Sequence, residues 1–263
     1  MIPRTRGPAR SLPMPEVLER ARRLRDQGCP ELVLTGIEIA SYPELDSLVP
    51  ALSRELPDTR LRLGSLEPRC LTGPFVARLA EAATLCPHFH ISLQSGCDRT
   101  LRRMGRRYTA AQYLDALARV RDRFPGAAVT TDLICGFPGE TDGDWAETLR
   151  LIRQAAFAQM HIFPYSRRPG TPADTLPDQL TRAQKKARAA EAAEAAHAMT
   201  AAYRAAQAGR TLSVLFETEA DGRCFGHSEN YLPVSVPASN LRGQVRAVRI
   251  VGAGEVLLGE VEG

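Results

Sequence analysis

Strand-like and helix-like segments alternate along most of the chain, at intervals of about 30 residues, and this pattern constrains the fold most strongly. The helix patterns cover 13–27, 45–56, 75–83, 109–124 and 144–155. The strand patterns cover 31–38, 60–68, 88–96, 129–135 and 159–166. Alternation of this kind favours a parallel sheet with right-handed crossovers. The sequence therefore predicts an α/β fold of the (β/α)-barrel type. The first helix has no strand before it, and an eight-stranded barrel would need three more strands.

An alanine-rich helix is predicted from about Thr181 to Ala208, and a solvated helix is the simplest interpretation. The last 54 residues have a different pattern. After Gly209, strand patterns at 211–219, 229–237, 243–251 and 255–262 follow without helices. They predict a small antiparallel β domain, a barrel of five or so strands, with domain boundaries at 1–208 and 209–263. Such a domain binds nucleic acid or serves as a packing module. We expect this domain to be basic, which favours RNA, because it contains Arg210, Arg223, Arg242, Arg246 and Arg249.

Charge and cysteine usage narrow the class further. The net charge is +4, and Arg4, Arg6 and Arg10 lie in the first ten residues without an acidic residue. None of the six cysteines has another within four residues, so we assign no metal-knuckle or redox motif. The chain has no apolar run of about 18 residues, and its N-terminus lacks the apolar segment of a secretory signal. We expect a cytoplasmic protein without a membrane segment.

Small or polar residues follow every predicted strand. The fourth strand runs into the segment TTDLICGFPGET at 130–141, where glycine and proline end the strand and acids precede a helix. Taken alone, this segment could be a tight turn with a helix-capping acid. Ligands of parallel α/β proteins bind at the carboxyl ends of the strands. Five polar strand ends on one edge predict a ligand site there.

Five motifs, in order, carry a resemblance to a known family: LTGIE at 34–38, SLEP at 65–68, SLQSG at 92–96, GFPGET at 136–141 and FPYSRRPGTPA at 163–173. Together they resemble the methylthiotransferase branch of the radical S-adenosylmethionine enzymes. The C-terminal segment is similar to the TRAM domain, an RNA-binding β-barrel. LTGIE, SLEP, RGPARS at 6–11 and HSENYLPV at 227–234 look most like the enzymes that add a methylthio group to C2 of N6-threonylcarbamoyladenosine at position 37 of tRNA. The isopentenyladenosine tRNA enzyme and the ribosomal-protein enzyme are the near alternatives.

The resemblance implies a site for S-adenosylmethionine and a surface for the tRNA anticodon loop. The implied cofactor contacts are Thr35 and Gly36 for the amino group, Glu67, Gln94 and Ser95 for ribose and carboxylate, and Asp132, Gly136, Pro138, Glu140 and Tyr165 around the adenine. The implied RNA contacts are Arg4, Arg6, Arg10, Arg210, Arg242, Arg246 and Arg249. We assign no catalytic residue and no metal ligand.

The family also implies [4Fe-4S] clusters and a reductant protein for them. Its CxxxCxxC motif stands just before a segment like Ile2-Pro3, so this chain starts after the third cysteine. The resemblance implies a six-stranded barrel whose first strand, cluster loop and N-terminal domain are not in this chain. We therefore expect a monomer that is inactive by itself because it lacks the cluster cysteines.

Two interpretations of other classes remain. One is a non-catalytic RNA-binding remnant. The other is an unrelated TIM-type enzyme whose catalytic groups are Glu67, His90 and Asp132. His90 lies in mid-strand, a position more typical of a core or lumen histidine.

Overall fold

A computed structural model describes residues 10–36 and 38–262. Its first part contains five parallel strands, side by side in chain order. They are β1 (Glu31–Leu34), β2 (Arg60–Leu63), β3 (His88–His90), β4 (Ala128–Cys135) and β5 (Gln159–Pro164). β1 pairs with β2, β3 to β5 form a second ladder, and the bridges Leu61–Leu85 and Leu66–Ile91 join the two. The predicted α/β class is confirmed. Arg4 and Arg6 lie outside the described residues.

Seven α-helices accompany these strands within the described residues. They are α1 (Met14–Asp26), α2 (Leu45–Glu55), α3 (Gly73–Leu79), α4 (Asp98–Arg103), α5 (Ala110–Arg123), α6 (Asp142–Ala155) and α7 (Arg182–Ala205). Between helices and strands lies one apolar core, in which Phe89, Tyr113 and Phe157 are fully buried. Six residues are too few to show a helical period, which is why α4 is missing from the sequence prediction. No helix in the described part is long and apolar enough to cross a membrane.

The alanine-rich helix α7 is not simply solvated, so that expectation is wrong. Thr181 caps it in a capping box with Gln184. One face is buried against the sheet, with Ala192, Ala196 and the charged Arg188 inside. Small side chains let the helix axis come close to β5, and they bury little apolar area of their own. The sequence therefore shows the helix clearly and its packed face poorly.

Residues 211–261 form a closed barrel of five strands, here called the small barrel. The strands are β6 (Thr211–Ala220), β7 (Arg223–Ser228), β8 (Pro233–Val236), β9 (Val245–Ala253) and β10 (Leu257–Val261). Their order is β10-β8-β7-β6-β9, and every pair is antiparallel except β8 with β10, which are parallel. The predicted β-barrel is confirmed, while the prediction of purely antiparallel pairing is wrong for the closing pair.

Strand β7 has no large apolar residue on its buried side, and the sequence prediction omits it. Its buried positions are Cys224, Gly226 and Ser228. A Cβ at Gly226 would lie 1.9 Å from the carbonyl oxygen of Leu215 on β6, so only glycine fits there. Close backbone approach therefore replaces apolar side chains at this strand.

The small barrel is held to the sheet by a buried cluster of charged side chains. The carboxylate of Glu31 on β1 accepts hydrogen bonds from Arg60 Nε at 2.8 Å and from Arg62 Nε at 3.0 Å. The same guanidinium groups donate to the small barrel, at 2.9 Å to the carbonyl of Ser213 and 3.0 Å to that of Glu229. We call Glu31, Arg60 and Arg62 the docking cluster.

Candidate functional site

The residues that follow the carboxyl ends of β1 to β5 form one edge of the sheet, here called the rim. The N–H of Gln94 donates to the carbonyl of Asp132 at 2.9 Å, and the N–H of Tyr165 donates to that of Cys135 at 2.8 Å. Gln94 adopts a φ of 65°, in the left-handed region that non-glycine residues rarely occupy. Backbone hydrogen bonds thus continue past the ends of the strands, and they hold in place the backbone that carries the polar side chains of the rim.

Several residues predicted to bind the cofactor lie at the rim and are at least partly accessible. Thr35 and Gly36 are exposed, and Glu67 is half-buried. The hydroxyl of Tyr165 is buried without a hydrogen-bond partner among the described residues, and its ring lies edge-on to Phe137 at 5.2 Å. An unpaired buried hydroxyl beside an aromatic ring suits a ligand with polar and aromatic parts. The rim therefore fits S-adenosylmethionine.

The GFPGE loop contributes mainly its backbone shape, because one oxygen of Glu140 is used internally, while Oε1 is buried without a hydrogen-bond partner among the described residues. Glu140 is buried, and its Oε2 accepts from the N–H of Gly136 at 2.8 Å and from Arg188 at 2.7 Å. Burial raises the pKa of Glu140, although the hydrogen bond from Gly136 and the charge of Arg188 oppose the shift. The carbonyl of Pro138 accepts from Arg103 Nε at 3.0 Å. The glutamate of this motif braces the loop.

Ser95 is likewise committed to internal contacts. Its side chain is fully buried, and Oγ accepts from the N–H of Cys97 at 3.3 Å and lies 3.4 Å from Thr148 Oγ1 on α6. A Cβ on neighbouring Gly96 would lie 2.8 Å from the Cα of Thr148. The SLQSG motif thus seats α6 against the end of β3, and the ligand contact of Ser95 stays a prediction.

The strand face opposite the helices, here called the inner face, brings together two groups of the alternative enzyme interpretation. His90 Nε2 lies 3.2 Å from Asp132 Oδ2, and His90 Nδ1 lies 3.0 Å from Thr130 Oγ1. The hydrogen bond with His90 lowers the pKa of Asp132, against the opposing effect of burial. Glu67, the third group of that interpretation, follows β2 at the rim and is not part of this contact.

A basic cleft beside Tyr165 is absent from the sequence predictions. It has a volume of about 520 Å³ and is lined by Pro164, Tyr165, Ser166, Arg167, Arg182, Lys185 and Lys186. The ammonium group of Lys185 lies 4.9 Å from the centre of the Tyr165 ring. Lys185 and Lys186 are the only lysines of the chain, which is the signal that could have pointed to this cleft.

The arginines predicted to bind RNA are exposed where the structure describes them: Arg10, Arg210, Arg242, Arg246 and Arg249. The expectation that residues 209–263 are basic is wrong, since five arginines stand against seven acidic residues there. Arg223 is half-buried and donates to the Ser235 hydroxyl at 2.7 Å, so it serves the barrel itself. RNA binding by this domain would therefore depend on individual exposed arginines and not on its net charge.

The cysteines of the described residues do not fit an iron–sulfur cluster. All six lie in this part, none forms a disulfide, and Cys86, Cys97, Cys135 and Cys224 are buried. Cluster ligation needs thiolates that converge on one point. The one convergent group of three potential ligands within the described residues contains no cysteine. We assign no cluster to these residues.

Comparison with known proteins identifies the family of the chain. Residues 1–152 match the Radical SAM superfamily, and the chain belongs to that superfamily. Two solved structures share the fold at low identity: coproporphyrinogen III oxidase (HemN) from Escherichia coli, with a TM-score of 0.52, 13% identity and coverage of 88% of this chain and 60% of that one, and the radical S-adenosylmethionine methyltransferase TsrM from Kitasatospora setae, with a TM-score of 0.53, 18% identity and coverage of 62% and 33%.

Within the superfamily, the chain is similar to tRNA methylthiotransferases, which confirms the resemblance carried by its motifs. It is 34% identical to threonylcarbamoyladenosine tRNA methylthiotransferase MtaB of Bacillus subtilis (strain 168), over 97% of this chain and 59% of that protein. It is 38% identical to tRNA-2-methylthio-N(6)-dimethylallyladenosine synthase of Sorangium cellulosum, over 99% of this chain and 56% of that protein. The chain spans somewhat more than half the length of these relatives.

Proposed function

We propose that this chain is the cofactor-binding and RNA-binding part of a tRNA methylthiotransferase that acts on N6-threonylcarbamoyladenosine at position 37. The observation that carries the proposal is the ordered set of family motifs, which the strand order brings to a single rim beside the Tyr165 hydroxyl, a buried group without a hydrogen-bond partner among the described residues. When bound, S-adenosylmethionine supplies radical and methyl-transfer chemistry in this family. The reductant and the cluster ligands belong to the proposal only through the resemblance.

In this proposal, each rim residue contacts a different part of S-adenosylmethionine. Thr35 and Gly36, both exposed after β1, are suited to the amino group of the methionine part. Glu67 offers a half-buried carboxylate to ribose hydroxyls, and Gln94, turned by its left-handed backbone, offers an amide. Tyr165 supplies the unpaired hydroxyl and an aromatic edge. The GFPGE loop supports these rim residues on the side away from the ligand.

The choice of adenosine modification rests on motifs. Identities of 34% and 38% to the two kinds of tRNA enzyme do not separate them. LTGIE at 34–38 and HSENYLPV at 227–234 favour threonylcarbamoyladenosine over dimethylallyladenosine and over the ribosomal-protein enzyme. A tRNA substrate implies a cytoplasmic protein. In this proposal, residues 1–208 are the cofactor domain and residues 209–263 are the TRAM-like domain.

Binding measurements test the proposal without requiring turnover by this chain. We expect calorimetry to show S-adenosylmethionine binding that weakens about tenfold or more in Glu67→Gln, since a hydrogen bond to a charged group contributes roughly 1.5–3 kcal/mol. Glu44→Gln, an exposed carboxylate before α2, is the matched control. An anticodon stem-loop carrying threonylcarbamoyladenosine should bind more tightly than one carrying dimethylallyladenosine.

RNA contact has its own test. Arg246→Ala and Arg249→Ala should each weaken stem-loop binding and lower the dependence of log K on log salt by about one phosphate contact. Absence of cofactor binding, or equal affinity for both modified stem-loops, would contradict the cofactor site or the substrate assignment respectively. Unchanged salt dependence in both arginine variants would remove the small barrel from the RNA interface.

A further inference from the structure

The inner face carries a cluster of metal-ligating side chains, of which only Asp132 is also a predicted cofactor contact. His90 on β3, Asp132 on β4 and His161 on β5 each offer one ligand atom, and these atoms all lie within 4.8 Å of one another. The strand register explains the cluster: His90 pairs with Thr130 on β4, and Asp132 pairs with His161 on β5. Three adjacent parallel strands thus place two imidazoles and one carboxylate side by side.

The hydrogen bonds of His90 orient it as metal-bound histidines are oriented. Its Nδ1 lies 3.0 Å from the Thr130 hydroxyl, and this contact fixes the ring so that Nε2 points to the Asp132 carboxylate at 3.2 Å. Hydrogen-bonding partners of this kind orient the ligand histidines in most metal sites. When Nδ1–H donates to the Thr130 hydroxyl, the lone pair of Nε2 faces Asp132 Oδ2, and a metal ion bound to both atoms could replace the proton that otherwise bridges them.

Burial and access also suit a metal ion. The side chains of His90 and Asp132 are 14% and 29% exposed, and His161 is exposed, so an ion could enter from the open side of the sheet. Zinc–nitrogen and zinc–oxygen bonds of about 2.0–2.2 Å place ligand atoms about 3–4 Å apart. Small side-chain rotations close the remaining gap. Three ligands also leave coordination positions open.

We propose that His90, Asp132 and His161 form a binding site for a divalent transition-metal ion of the Zn²⁺, Fe²⁺ or Co²⁺ class. Two imidazoles with one carboxylate favour these ions over Mg²⁺ and Ca²⁺, which prefer all-oxygen sites. The site lies below the rim, on the face that the cofactor and the substrate adenosine would share, and its open positions could take an oxygen or nitrogen atom of a ligand. It does not depend on the tRNA activity proposed above.

An anaerobic titration of the metal-free full chain with Co²⁺ alone tests this site. We expect about one equivalent to bind, with visible d–d absorption and without the near-ultraviolet charge-transfer band of a cobalt–thiolate bond. His161→Ala should weaken binding at least about tenfold, because it removes one of three ligands. His161 is exposed, so this variant should fold normally. His197→Gln, an exposed histidine on α7, is the matched control and should bind like the parent.

Asp132→Asn provides a second test, since it keeps the shape of the side chain and removes its charge. Binding should weaken in this variant as well, and Zn²⁺ should displace Co²⁺ from the parent protein. No binding at millimolar Co²⁺, a thiolate band, or binding that His161→Ala and Asp132→Asn both leave unchanged would each overturn the proposal. The first of these results would leave His90 and Asp132 as a simple hydrogen-bonded pair.

Discussion

The docking cluster should control the stability of the whole chain, and Glu31→Gln tests it. The side chains of Glu31, Arg60 and Arg62 are only 13%, 10% and 4% exposed. Glutamine preserves the volume of Glu31 but leaves two buried guanidinium groups without a counter-charge. Removing one partner of a buried ion pair costs about 3–5 kcal/mol. For a chain of this size each kcal/mol corresponds to roughly 2–4 °C, so the melting temperature should fall by on the order of 10 °C.

The pH dependence of this effect can be worked out from the pKa of Glu31. Burial alone would raise that pKa, but the hydrogen bond from Arg62 and the charge of Arg60 outweigh it and lower it. A carboxyl group whose pKa is lowered in the folded state stabilises the fold above its unfolded value, about 4.3. That stability is lost as the pH falls through the lower folded value. Glu31→Gln should therefore be most harmful near pH 7 and least harmful in acid.

Thermal unfolding followed by circular dichroism, at pH 7 and at a series of pH values below about 4, is the assay. Glu55→Gln is the control, because Glu55 pairs with Arg22 on the surface of the helices and exposed pairs contribute little. The reasoning would be refuted if Glu31→Gln melted like the parent protein at pH 7. It would also be refuted if Glu55→Gln lowered the melting temperature as much.

Three further predictions concern the sheet and the rim. Burial lowers the pKa of His88 to about 3; the unfolded chain therefore takes up a proton first, and stability should fall by up to about 1.4 kcal/mol per pH unit from about 6.5 downward. In urea titrations between pH 7 and 5, His88→Asn should lose this slope and His197→Gln should keep it; equal slopes would disprove the assignment. Gly136→Ala should cost about 1–3 kcal/mol, since its φ is +74° and its Cβ would lie 2.6 Å from a side chain of α7. Gly105→Ala, with a φ of +73° and nothing within 4 Å, should cost less, and the reverse order in chemical denaturation would contradict the packing argument. Thr141→Ala should lower the free energy of unfolding by about 1 kcal/mol, because it removes the capping box of α6. Thr141→Ser should keep the stability of the parent protein. Unchanged stability in Thr141→Ala would contradict this prediction.

The candidate site shows where sequence patterns succeed. Polar residues after each strand predicted a ligand edge, and the parallel order of β1 to β5 places all of them there. The motifs did not reveal that Glu140 and Ser95 are buried in internal contacts. A motif reports that a residue is required, and both ligand binding and loop bracing create that requirement. Only the partners of the side chain distinguish the two.

The local sequence determined most of the secondary structure of this protein. Hydrophobic periodicity, capping residues and glycine breaks are properties of neighbouring residues, and they specified the alternating α/β part, the terminal β part and the polar strand ends. Contacts between distant residues were decided by tertiary structure alone. The docking cluster joins β1 and β2 to the small barrel, and the group His90, Asp132 and His161 depends on the register of three strands. Register and docking are set by packing across the whole fold, which no local pattern contains.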